Sequence, residues 1–141
     1  MTELTVTRGV PGSGKSYWAK AWVAEDVVRR ARIERDQLRL MLHNGDWQGR
    51  ATENTVVLAQ HAMIRALVQD GVSVVVSDTN LHPGVFNELE ALAQELDATF
   101  IVKDFRDVPL DVCLKRNAQR TGKEFIPKHV ILDMYNKYIK E

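Results

Sequence analysis

Gly9-Val10-Pro11-Gly12-Ser13-Gly14-Lys15-Ser16 brings three glycines, two hydroxyls and a lysine together in eight residues. Every fixed position of the pattern G-x-x-x-x-G-K-[ST] is filled. Glycine lets a backbone turn tightly and approach a ligand with no Cβ in the way. The amide N–H groups then converge as an anion nest, and a helix starting at this point adds its positive end. The ligand that suits such a loop is a nucleoside triphosphate such as ATP. Gly12, Ser13 and Gly14 supply the nest, Lys15 meets the β- and γ-phosphates, and Ser16 ligates Mg²⁺. Tyr17 follows at the edge of the same nucleotide site.

Three further groups carry chemistry. Asp36 and Arg39 lie in Arg35-Asp36-Gln37-Leu38-Arg39, directly after the second expected strand. An aspartate there can take the proton of an attacking hydroxyl, and an arginine one helical turn on can hold an acceptor phosphate. Ser77-Asp78-Thr79-Asn80 ends a β-branched run. A carboxylate at such a strand tip suits a metal-bound water or a substrate, with Thr79 and Asn80 as polar neighbours. Arg116 and Arg120 stand four apart in an expected helix, so both project to one side. Together they can stabilise charge on a transferring phosphoryl group, with Thr121-Gly122-Lys123 as a flexible exit for a lid. The four histidines have no ligand spacing and are given no catalytic part.

The elements that must position these groups alternate. Leu4 to Arg8 reads as a strand, Lys15 to about Asp26 as a helix, and Val27 to Glu34 as a half-covered strand. Helices follow at Asp36 to about His43 and at Ala51 to Gln69, where Gly71 stops the second. Val72 to Ser77 reads as a strand buried on both faces. Pro83 suits a first helical turn, with Val85, Leu89, Leu92 and Leu96 on one stripe. Thr99 to Val102 is a fourth strand. Helices from about Pro109 to Arg120 and from near Pro127 finish the chain. Trp18 and Trp22 are expected in the core, and Trp47, in the loop Asn44 to Gly49, is expected at the surface. Strand-helix alternation implies an α/β fold of three layers, a mainly parallel sheet of about four strands between helices, with a C-terminal helical lid.

Composition bounds the rest. The 141 residues suit a single domain, 1–141. A lone cysteine, Cys113, excludes an internal disulfide and a cysteine-rich zinc site. No signal peptide or membrane span is visible, so the expected compartment is the cytoplasm. Net charge is zero, but unevenly: residues 1–50 hold nine Lys/Arg against six Asp/Glu, residues 51–100 one against seven, and residues 101–141 nine against six. Basic groups at both ends of the chain are expected to converge on an anion site.

The chain has no Asn-Lys-x-Asp for reading guanine, and Asp46-Trp47-Gln48-Gly49 follows no apolar strand, which argues against a GTPase. A small kinase suits the length best. The residues themselves leave open a kinase of small metabolites and a nucleotide-binding module without catalysis.

Taken together, the phosphate loop, Arg35-Asp36 with Arg39, Ser77-Asp78-Thr79-Asn80-Leu81 with Pro83, Asp107-Val108-Pro109, Lys115-Arg116-Asn117 with Arg120, and Pro127 with Val130 and Met134-Tyr135 resemble the kinase module of the phage-type 5′-polynucleotide kinases. The resemblance runs through nearly the whole chain. It implies ATP- and Mg²⁺-dependent phosphorylation of the 5′-hydroxyl ends of DNA or RNA. It makes Asp36 the general base and Arg39 the contact to the acceptor's 3′-phosphate. It makes Asp78 an essential aspartate and Arg120 the lid arginine on the donor phosphates. Ile126 and Val130 fall where the terminal base is held between apolar side chains. Phage enzymes of this type continue into a phosphatase domain with an Asp-x-Asp signature, which this sequence lacks. A phosphatase or ligase domain outside the chain, and a homo-oligomer, are compatible with it.

Overall fold

The computed structural model describes residues 1–140, apart from the side chain of Lys123. Four strands, β1 (Glu3–Arg8), β2 (Arg30–Ile33), β3 (Ser73–Val76) and β4 (Thr99–Asp104), form one parallel sheet in the order β2-β3-β1-β4. Six helices flank it: α1 (Lys15–Ala24), α2 (Arg35–His43), α3 (Arg50–Gln69), α4 (Pro83–Glu95), α5 (Leu110–Ala118) and α6 (Lys128–Tyr138). A 3₁₀ turn, Gly122–Glu124, lies between the last two.

Alternation on the strands explains the layers. Leu4, Val6, Val74 and Val76 are fully buried in a cluster with Leu38 of α2, Val56, Ile64 and Val68 of α3, and Leu89, Leu92 and Ala93 of α4. Val75 and Thr5 point the other way and are buried as well, so the central strands are covered on both faces, as the β-branched run implies. Each such valine contributes about 1.5–3 kcal/mol of apolar burial. β4 is an edge, and its Ile101 and Val102 are partly exposed. A second cluster, Val10, Leu81, Cys113 and Ile131, lies past the C-terminal ends of β1 and β3 and fastens α5 and α6 there.

Two expectations need correction. Trp18 and Trp22 are not core residues. They stack on each other half-buried, centroids 6.4 Å apart, and each carries a cation on its face, Lys103 on Trp18 and Arg30 on Trp22. Their large rings cover the outside of the sheet rather than fill its interior. The helix expected to reach Arg120 stops at Ala118. Gln119 N–H and Arg120 N–H bond back three residues, to Arg116 and Asn117 carbonyls. The Asn117 side chain then takes both backbone groups of Ile126, donating to its carbonyl (2.6 Å) and accepting from its N–H (3.0 Å). That clasp turns the chain away, and Arg120 sits in the loop rather than on the helix.

Candidate active site

The phosphate-binding loop follows β1 and starts α1, as its glycines require. Gly12 and Gly14 take φ values of +87° and +102°, which L side chains rarely adopt. A Cβ on Gly12 would come within 2.4 Å of the Cys113 carbonyl, so the loop packs directly on α5. Lys15 is buried, and its Nζ donates to the Val10 carbonyl (2.8 Å) and Ser13 Oγ (3.4 Å). Burial lowers its pKa to about 8; Glu34 acts in the opposite direction and Arg120 in the same one.

Residues from the ends of β2 and β3 meet the loop, where open α/β sheets bind ligands. Ser16 Oγ donates to Glu34 Oε1 at 2.5 Å. Glu34 also accepts from Ser77 Oγ (3.3 Å) and, on its other oxygen, from Arg32 (3.1 Å). Glu34 is a site residue that the motifs did not single out. Its only signal in the sequence is a carboxylate at the end of the second strand.

Asp36 sits in the first turn of α2 with its side chain 72% exposed, one oxygen accepting from Arg39 Nη1 at 2.7 Å. Arg39 also makes a two-toothed pair with Glu53 of α3, through Nε and Nη2 at 2.9–3.2 Å. Most of its N–H groups are therefore directed to carboxylates of its own chain.

Asp78 is tied into the frame. One oxygen accepts from Arg35 N–H (2.8 Å) and the other from Gln60 Nε2 (2.8 Å), with Arg35 Nε 3.8 Å away. Burial pushes its pKa up to about 6, against the pull of these hydrogen bonds. The carboxylate thus fixes the first residue of α2, next to Asp36. Asn80, at φ +48°, is buried, and its amide donates to the carbonyls of Thr7, Val76 and Asp78. The Thr79 carbonyl accepts from Gly9 N–H. Thr79 and Asn80 therefore hold the phosphate loop against β3 as well as bordering the site.

A cavity of about 390 Å³ brings together Lys15, Ser16, Asp36, Arg39, Asp78 and Arg120; Thr79, Asn80 and Ile126 line it too. A second, of about 400 Å³, is lined by Gly12, Gly14, Lys15, Ser16, Tyr17, Arg116 and Arg120. Tyr17 is 84% exposed at its rim. Arg116 Nη1 donates to the Gly12 carbonyl (3.3 Å). Basic groups from both ends of the chain do converge here, as the charge pattern implies. Val130 does not line either cavity; Met134, one helical turn further along α6, lines the first.

Ser16 Oγ, held by its hydrogen bond to Glu34, is an oxygen of the kind a hard cation takes. Among the described residues no three His, Cys, Asp or Glu side chains cluster as a metal cage. A Mg²⁺ here would share its ligands with triphosphate oxygens. Among the described residues, no helix is long and apolar enough to cross a membrane.

Comparison with known proteins agrees with this geometry. The family model described as "AAA domain" matches residues 4–140. An L-seryl-tRNA(Sec) kinase of Methanococcus maripaludis is 29% identical over 138 residues, 96% of this chain and 52% of the relative. A putative bifunctional polynucleotide kinase/RNA ligase of Autographa californica nuclear polyhedrosis virus is 30% identical over 152 residues, 98% of this chain but 21% of the relative. The chain thus spans about half of one relative and a fifth of the other. The solved Pnkp1/Rnl/Hen1 RNA repair complex contains a chain with a TM-score of 0.84 and 28% identity, covering 96% of this chain and 43% of that one.

Proposed function

The chain belongs to the AAA domain family, with a P-loop kinase domain, and from that premise we propose that it transfers the γ-phosphate of ATP to the 5′-hydroxyl end of DNA or RNA. The observation that carries this reading is the exposed carboxylate of Asp36 in one cavity with Lys15, Ser16, Arg39 and Arg120. The relatives named for polynucleotide kinase and RNA repair support the choice of acceptor.

In the proposed reaction the acceptor hydroxyl approaches Asp36, which takes its proton. The new O–P bond forms as the bond between the γ-phosphorus and the bridging oxygen breaks, and ADP leaves. Lys15 and Arg120 offset charge on the transferring group. Ser16 would hold Mg²⁺, with Glu34 bonded to the Ser16 hydroxyl behind it; the bound metal would offset negative charge on the triphosphate. Arg116, on α5, and Tyr17 border the donor nucleotide. Ile126 and Met134 offer an apolar wall to the terminal base. Lys15, Arg39, Arg116 and Arg120 offer cations to a polyanion, so acceptor affinity falls with salt. Such a kinase prepares ends for joining, with a ligase as the partner activity.

The relative named as an L-seryl-tRNA(Sec) kinase favours a second acceptor, a hydroxyl on an aminoacyl group carried by RNA. The test is transfer of γ-labelled phosphate from ATP·Mg²⁺ to a 5′-OH oligonucleotide, to seryl-tRNA and to nucleosides, with Asp36→Asn in parallel. Label on the oligonucleotide, lost in the variant, is the expected result. Label only on seryl-tRNA or only on nucleosides overturns the acceptor, and label that survives Asp36→Asn overturns the base.

A further inference from the structure

Trp47 is an exposed aromatic on the acceptor side. It lies in the loop 44–49 between α2 and α3, lines the cavity that holds Asp36, and is 62% exposed. An exposed indole is ordinary when it stands alone on a surface. This one is held in place. Gly45 N–H bonds to the Arg39 carbonyl and Gln48 N–H to Thr52 Oγ1, and Asn44, Gly45 and Gly49 take the positive φ values that bend the loop. The Arg39 guanidinium carbon lies 5.2 Å from the ring centroid, a cation on the face of an aromatic.

Arg39 contacts both Asp36 and Trp47. Its Nη1 is 2.7 Å from Asp36 Oδ1, and its guanidinium lies over the face of the indole. Glu53 holds Arg39 in that position through both carboxylate oxygens. A nucleic-acid strand whose terminal hydroxyl meets Asp36 would then have a fixed cation and an aromatic surface beside it. The apolar wall for the terminal base, Ile126 and Met134, comes from other elements. That leaves the Trp47 ring as a separate aromatic surface of the same cavity.

We infer that Trp47 is the stacking platform for the second nucleobase of the acceptor, so that the site reads a strand of at least two nucleotides rather than a single nucleoside. This rests on the 5′-kinase reading above. Stacking is tolerant of sequence, because every base has a π-face.

The test compares two acceptors, a nucleoside 3′-monophosphate and a 5′-OH dinucleotide with a 3′-phosphate. In the wild-type protein the ratio of kcat/KM favours the dinucleotide. In Trp47→Ala that ratio falls about tenfold or more, the scale on which a stacked base contributes. In Trp47→Phe, which keeps a ring, most of the ratio is retained. The dinucleotide also quenches indole fluorescence in the wild type and not in Trp47→Phe, since Trp18 and Trp22 lie elsewhere. A ratio unchanged in Trp47→Ala, with both acceptors still used, overturns the platform and leaves the kinase intact. A wild-type protein that phosphorylates neither acceptor overturns the kinase reading, and the platform with it.

Discussion

The Ser16 hydroxyl donates to Glu34 Oε1 over 2.5 Å, which links the start of α1 to the end of β2, 18 residues away. Glu34 is therefore a contact of the phosphate-binding loop, and it lies two residues before Asp36. Among the described residues, Glu34 is the carboxylate bonded to the hydroxyl expected on the metal.

Glu34→Gln keeps the size and removes the charge. Outer contacts of this kind change metal affinity by about 10–100-fold. The expected outcome is a Mg²⁺ titration of ATP-dependent thermal stabilisation whose midpoint rises by about tenfold. A midpoint equal to wild type would show that Glu34 has no part in holding the metal.

Lys15 gives a signed pH dependence. Its folded pKa, lowered by burial to about 8, lies below the ordinary 10.5. Between those values the unfolded chain binds more protons, so this residue makes stability rise with pH from about 8 to 10.5. Its burial cost is present in full below 8. Over the same window the neutral amine loses its attraction for phosphate, so ATP affinity falls. Denaturant unfolding and ATP binding measured from pH 7 to 10 should move in opposite directions. Lys15→Met should flatten this contribution to both.

Asp78 has the opposite slope at acid pH. Its folded pKa, raised by burial to about 6, exceeds the ordinary 3.8. The folded state binds the extra proton between these values, so this residue's contribution to stability falls as pH rises from about 3.8 to 6. Asp78→Asn relieves the buried charge but sets an N–H₂ group against Gln60 Nε2, or turns Gln60 away from Arg35. The lost bonds cost about 1–3 kcal/mol. The expected kinetic result is a lower kcat with little change in ATP affinity, because what loosens is the start of α2. A fall in ATP affinity alone would assign Asp78 to the donor side.

Gly12→Ala should be severe. The new Cβ meets a carbonyl of α5 at 2.4 Å, and the φ of +87° costs an L residue about 1–2 kcal/mol besides. A drop in thermal midpoint, with loss of ATP binding, is the expected outcome in a melting assay with and without nucleotide. Gly122→Ala is the control. It shares a positive φ, but nothing lies within 4 Å of its added Cβ, so only the smaller conformational cost applies.

The sequence was most informative where chemistry and geometry are local. The phosphate loop encodes its own turns, and Asp36 is marked by its place just after a strand. Glu34 was not legible, because its partner Ser16 is distant in the chain and a glutamate beside Arg35-Asp36 reads as one more surface charge. The resemblance puts Val130 of α6 at the terminal base, but depth along the helix is not written in the sequence. Val130 and Met134 share a face one turn apart, and only Met134 reaches the cavity. Apolar area alone argues for Trp18 and Trp22 in the core, whereas Lys103 and Arg30 make an outer position favourable for them. The helix end before Arg120 depends on the Asn117 side chain binding a backbone nine residues on, which no local pattern announces.

That clasp divides labour between two arginines that the sequence places together. Arg116 precedes Asn117 on α5 and is braced against the Gly12 carbonyl. Arg120 lies between the clasped residues, in a loop whose two ends are sewn to each other. The base of that loop is shut, like a handle fixed at both ends. Any travel of Arg120 toward a substrate is therefore confined to the span between Asn117 and Ile126. It need not disturb α5, the phosphate loop packed on it, or the stationary arginine four residues earlier.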